Sequence, residues 1–242
     1  MSFEFSYGGV IRAPRDRKEI ALIFTGGDFG EGANHVAEVL AEEKVPGSFF
    51  FTGDFLENPA NRNAIKKLVH DGHYLGPHSY EHLLYCPWDD RDKTLVTREQ
   101  FMSDLVKNIT ALENFDVPRA RITWWIPPYE WYNDDISNWS RELGLRLFNF
   151  TPGTLSHTDY TTDDAKNHRS CDTIWKSIFD YEEKQADGLN GFMLLTHVGA
   201  GDKRTDKFFL RLRALVRELR ARGYDLKPVD ELLANAPQQA TK

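Results

Sequence analysis

Short apolar runs, each closed by a polar cluster and followed by an amphipathic stretch, recur along this chain and restrict the folds open to it. Ile20 to Thr25 reads Ile-Ala-Leu-Ile-Phe-Thr, a continuous apolar run with β-branched residues that ends in a Gly-rich loop. That is the pattern of a strand buried on both faces. Residues 33–43 then place Val36, Val39 and Leu40 at helical spacing with charges opposite. The same alternation predicts strands over 47–52, 73–76, 122–126, 147–150, 191–197 and 225–228. It predicts helices over 61–71, 97–115, 134–143, 172–184 and 207–222, with Thr97 and Gln100 as a capping box and Thr205 as the N-cap of the last.

About seven strand-and-helix units argue for a parallel barrel, with an open doubly wound sheet as the alternative. The polar clusters separate the two. Residues 25–28, 77–82, 127–130, 151–153 and His197 all follow the ends of expected strands. In a barrel those ends share one face, whereas in an open sheet only those near a switch point meet. The chain reads as one domain over 1–242, with an N-terminal extension (1–17) and a polar tail (235–242).

The net charge of −7 argues against binding to a phosphate backbone, so no nucleic-acid partner is expected. No run approaches the roughly 18 apolar residues of a membrane span, and no signal-peptide apolar region is visible. Cys86 and Cys171 fit no compact zinc or redox motif and read as unpaired thiols. Six Trp are compatible with a sugar-stacking cleft as well as with core.

The chemistry concentrates in Gly76-Pro77-His78-Ser79-Tyr80-Glu81-His82. Two imidazoles four residues apart lie on one face of a helix, and one metal ion can take a nitrogen from each. His35, His70, His157 and His168, lacking such a partner, read as surface or core. The loop over residues 25–32 has Gly-rich character but neither Gly-Lys-Ser/Thr nor Gly-x-Gly-x-x-Gly, so nucleotide binding is not expected. Asp28 is better placed there as a metal ligand or a general base. Residues 151–154 are read as lining the cleft or as a plain turn, and Arg204 as a surface residue.

Taken in order, Ile20 to Asp28, Val45 to Thr52, Gly72 to His82, Pro127-Pro128-Tyr129 and Leu195-Thr196-His197 resemble the successive motifs of the polysaccharide deacetylases, carbohydrate esterase family 4. The resemblance spans residues 18–233. It implies a single-domain distorted (β/α)7 barrel that removes N- or O-acetyl groups from an acetylated oligo- or polysaccharide. It also implies one divalent metal ion, zinc first, with cobalt or nickel as alternatives. By the same resemblance His78 and His82 are metal ligands, His197 protonates the leaving group, and the Tyr129 backbone N–H holds the oxyanion. Trp124, Trp125 and Trp131 are read as walls of the sugar site or, equally, as buried core. The family implies an extracytoplasmic location.

The chain departs from the family at two linked places. The two first-motif Asp positions fall on Thr25 and Gly26, and the Arg before Pro-Pro-Tyr is Ile126. An Arg left without its carboxylate would be an unpaired charge in a partly buried site, so the two losses belong together. Asp28, two positions on, and Glu130, after Tyr129, are the carboxylates available to restore acid–base capacity, Asp28 being alternatively the third metal ligand. Two other readings accompany the hydrolase: a saccharide-binding protein without turnover, and a hydrolase of a small C–N bonded substrate.

Overall fold

The computed structural model describes residues 2–237, so residues 238–242 of the expected tail lie outside the described residues. A hairpin of β1 (Glu4–Ser6) and β2 (Gly9–Arg12) precedes the first long strand, β3 (Glu19–Gly26). Next come α1 (Ala33–Glu43), β4 (Ser48–Phe51), α2 (Gly53–Glu57), α3 (Arg62–His70) and β5 (Tyr74–Pro77). A long irregular segment leads to α4 (Arg98–Glu113), then β6 (Trp124–Trp125), α5 (Asp134–Glu142) and β7 (Arg146–Leu147). The chain closes with α6 (Cys171–Lys184), β8 (Phe192–His197), α7 (Leu212–Ala221), β9 (Asp225–Leu226) and α8 (Val229–Leu232).

The main sheet is parallel in the order β5-β4-β3-β8, with β9 beside the start of β3, and β6-β7 form a second parallel pair. The ring closes without continuous ladders. Between β5 and β6, Tyr74 Oη donates to Trp124 O (3.0 Å) and accepts from Trp124 N (2.7 Å) and Thr123 N (3.1 Å). Between β7 and β8, Val10 of the hairpin bridges to Phe148, and Thr151 N donates to Met193 O at 3.0 Å. The result is the expected distorted (β/α)7 barrel, with the N-terminal hairpin serving as a seam.

The two-residue period of the strands sorts their side chains between two cores. Ile20, Leu22 and Phe24 pack outward against the helices, while Ala21 and Ile23 fill the barrel. On β8, Phe192 and Leu194 face out, and Met193 and Leu195 face in. Continuing the inward series past the filled barrel gives Thr25 and His197, register partners on adjacent strands. Parity thus aims both at the C-terminal mouth.

Three local expectations change. Residues 208–211 form a 3-10 turn ahead of α7, and Thr205 binds Asp163 through its hydroxyl (2.7 Å) rather than capping a helix. Arg204 is fully buried, donating to the carbonyls of Thr161 (2.7 Å), Arg169 (2.8 Å) and Asp206 (2.7 Å). Its fork satisfies carbonyls of an irregular segment that has no ladder to use them. Cys86 and Cys171 are free and buried, as read from the sequence.

Candidate active site

A cleft of about 700 Å³ opens at the C-terminal ends of the strands. Asp28, His78, His82, Tyr129, Glu130, Trp131 and His197 all line it. Two expected residues do not. Trp125 is fully buried in the outer core against Phe101 and Tyr85, and its neighbour Trp124 is buried inside the barrel. Strand parity sends Trp125 to the helix side, so neither walls the cleft. Trp88, from the segment before α4, lines it instead.

The His pair is built by a turn rather than a helix. Ser79 (φ 65°) and His82 (φ 52°) are left-handed, a conformation that needs outside support in a non-Gly residue. Helix α4 provides it. Asp104 accepts from Ser79 Oγ (2.7 Å), Tyr80 N (2.9 Å) and Glu81 N (2.8 Å), and Asn108 Oδ1 accepts from His78 N (2.8 Å). His78 Nδ1 lies 2.9 Å from Ile126 O, which puts the ring proton there and leaves Nε2 free. The rings of His78 and His82 are 5.1 Å apart. Burial, then the charge of its partner imidazole, holds His78 well below the ordinary histidine range, and burial pulls His82 down to about 4. Neutral imidazoles are the ligating form.

The third donor is not in place. Among the described residues no three His, Cys, Asp or Glu side chains converge as a metal centre, so the expected set Asp28, His78 and His82 is not closed. Asp28 stands exposed on the adjoining loop, near enough for its charge to act on His82. The family's carboxylate position is sealed. A Cβ on Gly26 would meet Phe55 at 2.7 Å and Val198 at 2.8 Å. Phe55, stacked 4.1 Å from Phe51, fills the space a side chain there would need. The residues therefore fit a divalent ion as far as two imidazole nitrogens and no further.

The opposite wall is complete. Asp159 accepts from His197 N (2.9 Å) and takes His197 Nδ1 at 2.7 Å, aiming Nε2 at the cleft. Burial alone would lower the His197 pKa, but the charge and hydrogen bond of Asp159, with Glu130 behind them, raise it above the ordinary value. Glu130 reaches the same wall because Tyr129 (φ 58°) and Glu130 (φ 53°) are both left-handed, folding the chain back after Pro127-Pro128. Burial pushes its carboxyl up to about 7 against the opposing pull of His197. Tyr160 lies 4.9 Å from the His197 ring. His157, read as surface or core, also lines the cleft, stacked on Phe150 at 4.5 Å. Thr25 Oγ is buried at the cleft floor without a hydrogen-bond partner among the described residues.

Asp159 was not singled out from the sequence. Its only signal was a place in His157-Thr158-Asp159-Tyr160, shortly after an expected strand end. Arg204 fixes that segment through Thr161, so the carboxylate is positioned by a residue 45 places away in the sequence.

Residues 12–148 match the family described as polysaccharide deacetylase. The peptidoglycan-N-acetylmuramic acid deacetylase PdaA of Bacillus subtilis is 24% identical over 222 residues, covering 89% of this chain and 72% of that protein. Its crystal structure superposes with a TM-score of 0.71 at 22% identity, covering 94% of this chain and 86% of that one. A structure of BA3943 from Bacillus anthracis, described as a family 4 pseudoenzyme, superposes equally well (0.71) at 18% identity, covering 95% and 70%.

Proposed function

This chain belongs to the polysaccharide deacetylase family, and from that premise we propose that it is a hydrolase removing acetyl groups from a carbohydrate. One observation carries the reading. A half-buried His197 held by buried Asp159 and the raised-pKa carboxyl of Glu130 share one wall of a cleft whose other wall presents His78 and His82. Water adds to the acetyl carbonyl carbon as Glu130 takes its proton, and a carboxyl pKa near neutrality suits that task. The bond from carbonyl carbon to the sugar nitrogen or oxygen then breaks, and His197 delivers the proton that the departing atom needs. Acetate is released. Asp159 keeps Nδ1 protonated throughout, so the proton moves at Nε2.

In this proposal His78 and His82 hold one divalent ion, zinc by family resemblance with cobalt or nickel as alternatives, and Asp28 is the carboxylate available to it. Such an ion, when bound, supplies Lewis acidity toward the acetyl oxygen. The Tyr129 backbone N–H is the oxyanion donor by family resemblance, and Tyr129 and Trp131 contact the sugar. Acetate release from acetylated chito-oligosaccharides or acetylated xylan tests the reading. The sealed Gly26 position favours a second one, a carbohydrate-binding protein without turnover, in keeping with the description of BA3943 as a pseudoenzyme. Oligosaccharide binding with no acetate release in the presence of zinc, cobalt or nickel would select it.

A further inference from the structure

Trp88 stands out on this cleft at 62% exposure, and its position is built rather than incidental. Its indole stacks on Trp131 (5.9 Å between centroids, 30° between planes) and meets Tyr129 edge-on at 5.7 Å. Tyr129 in turn packs against His82 at 4.4 Å, so the three rings form a continuous surface running outward from the His pair. The ring beneath Trp88 is fixed from two sides. Trp131 Nε1 donates to Pro87 O (3.1 Å), and the Arg91 guanidinium sits 4.3 Å from the Trp131 ring centre while donating to Tyr132 O. The segment carrying Trp88 has no regular structure, but buried Tyr85 and Cys86 anchor it, and Leu95 N closes it onto Tyr85 O at 2.8 Å.

Leaving a large apolar ring exposed and rigid is unfavourable unless something covers it, and a patch continuous with a cleft marks a ligand surface. The flat C–H face of a pyranose matches an indole face, and a pre-formed ring surrenders little entropy on binding. We propose that Trp88 is an outer sugar-binding residue that stacks on a pyranose unit beyond the one being deacetylated. This rests on the carbohydrate reading of the cleft. The preferred unit is uncharged, because the exposed Asp89, Asp90 and Asp92 after Trp88 outnumber Arg91 and Lys93 of the same stretch and disfavour a carboxylated sugar.

The test is tryptophan-fluorescence titration of the wild-type chain, Trp88→Ala and Trp88→Phe with N-acetylated chito-oligosaccharides of one to five units, run beside acetate-release assays. The wild type should bind the longer oligomers about 10-fold or more tighter than the monomer, Trp88→Ala should lose most of that gain, and Trp88→Phe should keep much of it. An oligogalacturonide of equal length should bind about 10-fold more weakly than its neutral counterpart. Equal length dependence in wild type and Trp88→Ala would overturn the assignment, as would equal affinity for the charged oligomer. Length-dependent binding lost in Trp88→Ala, with no acetate release by the wild type, leaves the subsite standing and sinks the deacetylase. Acetate release whose preference for long chains survives Trp88→Ala does the reverse.

Discussion

The two walls of the cleft are finished to different degrees. On the His197 wall the imidazole has its partner in Asp159, and the Arg204 fork holds the segment beyond. On the His78 wall the scaffold is equally firm, since Asp104 and Asn108 tie down the turn, yet the donor set stops at two imidazoles. The proposed proton donor is pre-organised in this chain, whereas the proposed metal site waits on a carboxylate from an exposed loop. A fixed His–Asp pair loses little by local motion; a metal centre that must recruit Asp28 depends on it.

The largest expected effect lies on the finished wall. His197→Ala should lower acetate release by roughly 10²- to 10⁴-fold with metal content unchanged. Loss of metal along with activity would show that the walls are not independent. Asp159→Asn should lower the rate by as much as about 10⁴-fold at neutral pH, because the amide can hold the wrong tautomer of His197. Because Asp159 raises the His197 pKa, its loss should move the alkaline limb to lower pH. An alkaline limb that stays put would assign it to another acid. On the unfinished wall, His78→Ala with His82→Ala should take the protein from about one bound divalent ion to none, read by elemental analysis after dialysis. Full metal content in that double variant would remove the pair from the site.

Glu130→Gln should cost about 10²-fold in turnover and abolish the acidic limb of the rate profile, which the raised carboxyl places near pH 7. Its stability effect has a definite sign. A carboxyl raised from 4.5 to about 7 stabilises the fold fully below its unfolded value, and that contribution is lost as pH rises through 7. The amide variant should therefore gain about 1–2 kcal/mol on the wild type between pH 4.5 and 8, seen in urea midpoints. Unchanged relative midpoints across that range would place the carboxyl in solvent.

Much of this was legible in the residues. The apolar runs named the main-sheet strands to within a residue or two, as with the expected 73–76 against the observed Tyr74–Pro77. The ordered motifs named His78, His82 and His197, and the break at Thr25 and Gly26 was plain. Trp125 misled because adjacent strand residues face opposite ways, so one step along β6 separates barrel from helix layer. The spacing of the His pair suits one face of a helix if the segment is helical, but the pair sits on a left-handed turn, since i, i+4 spacing does not reveal what α4 places behind it.

By itself the sequence determined which segments alternate, and hence that polar strand ends gather at one mouth, because apolar periodicity is a local property of the chain. Only the tertiary structure decided that Asp159 orients His197, that Phe55 closes the space beside Gly26, and that Trp88 stands over Trp131. These are contacts between residues far apart in sequence, and no local period records which distant side chain will fill a given space.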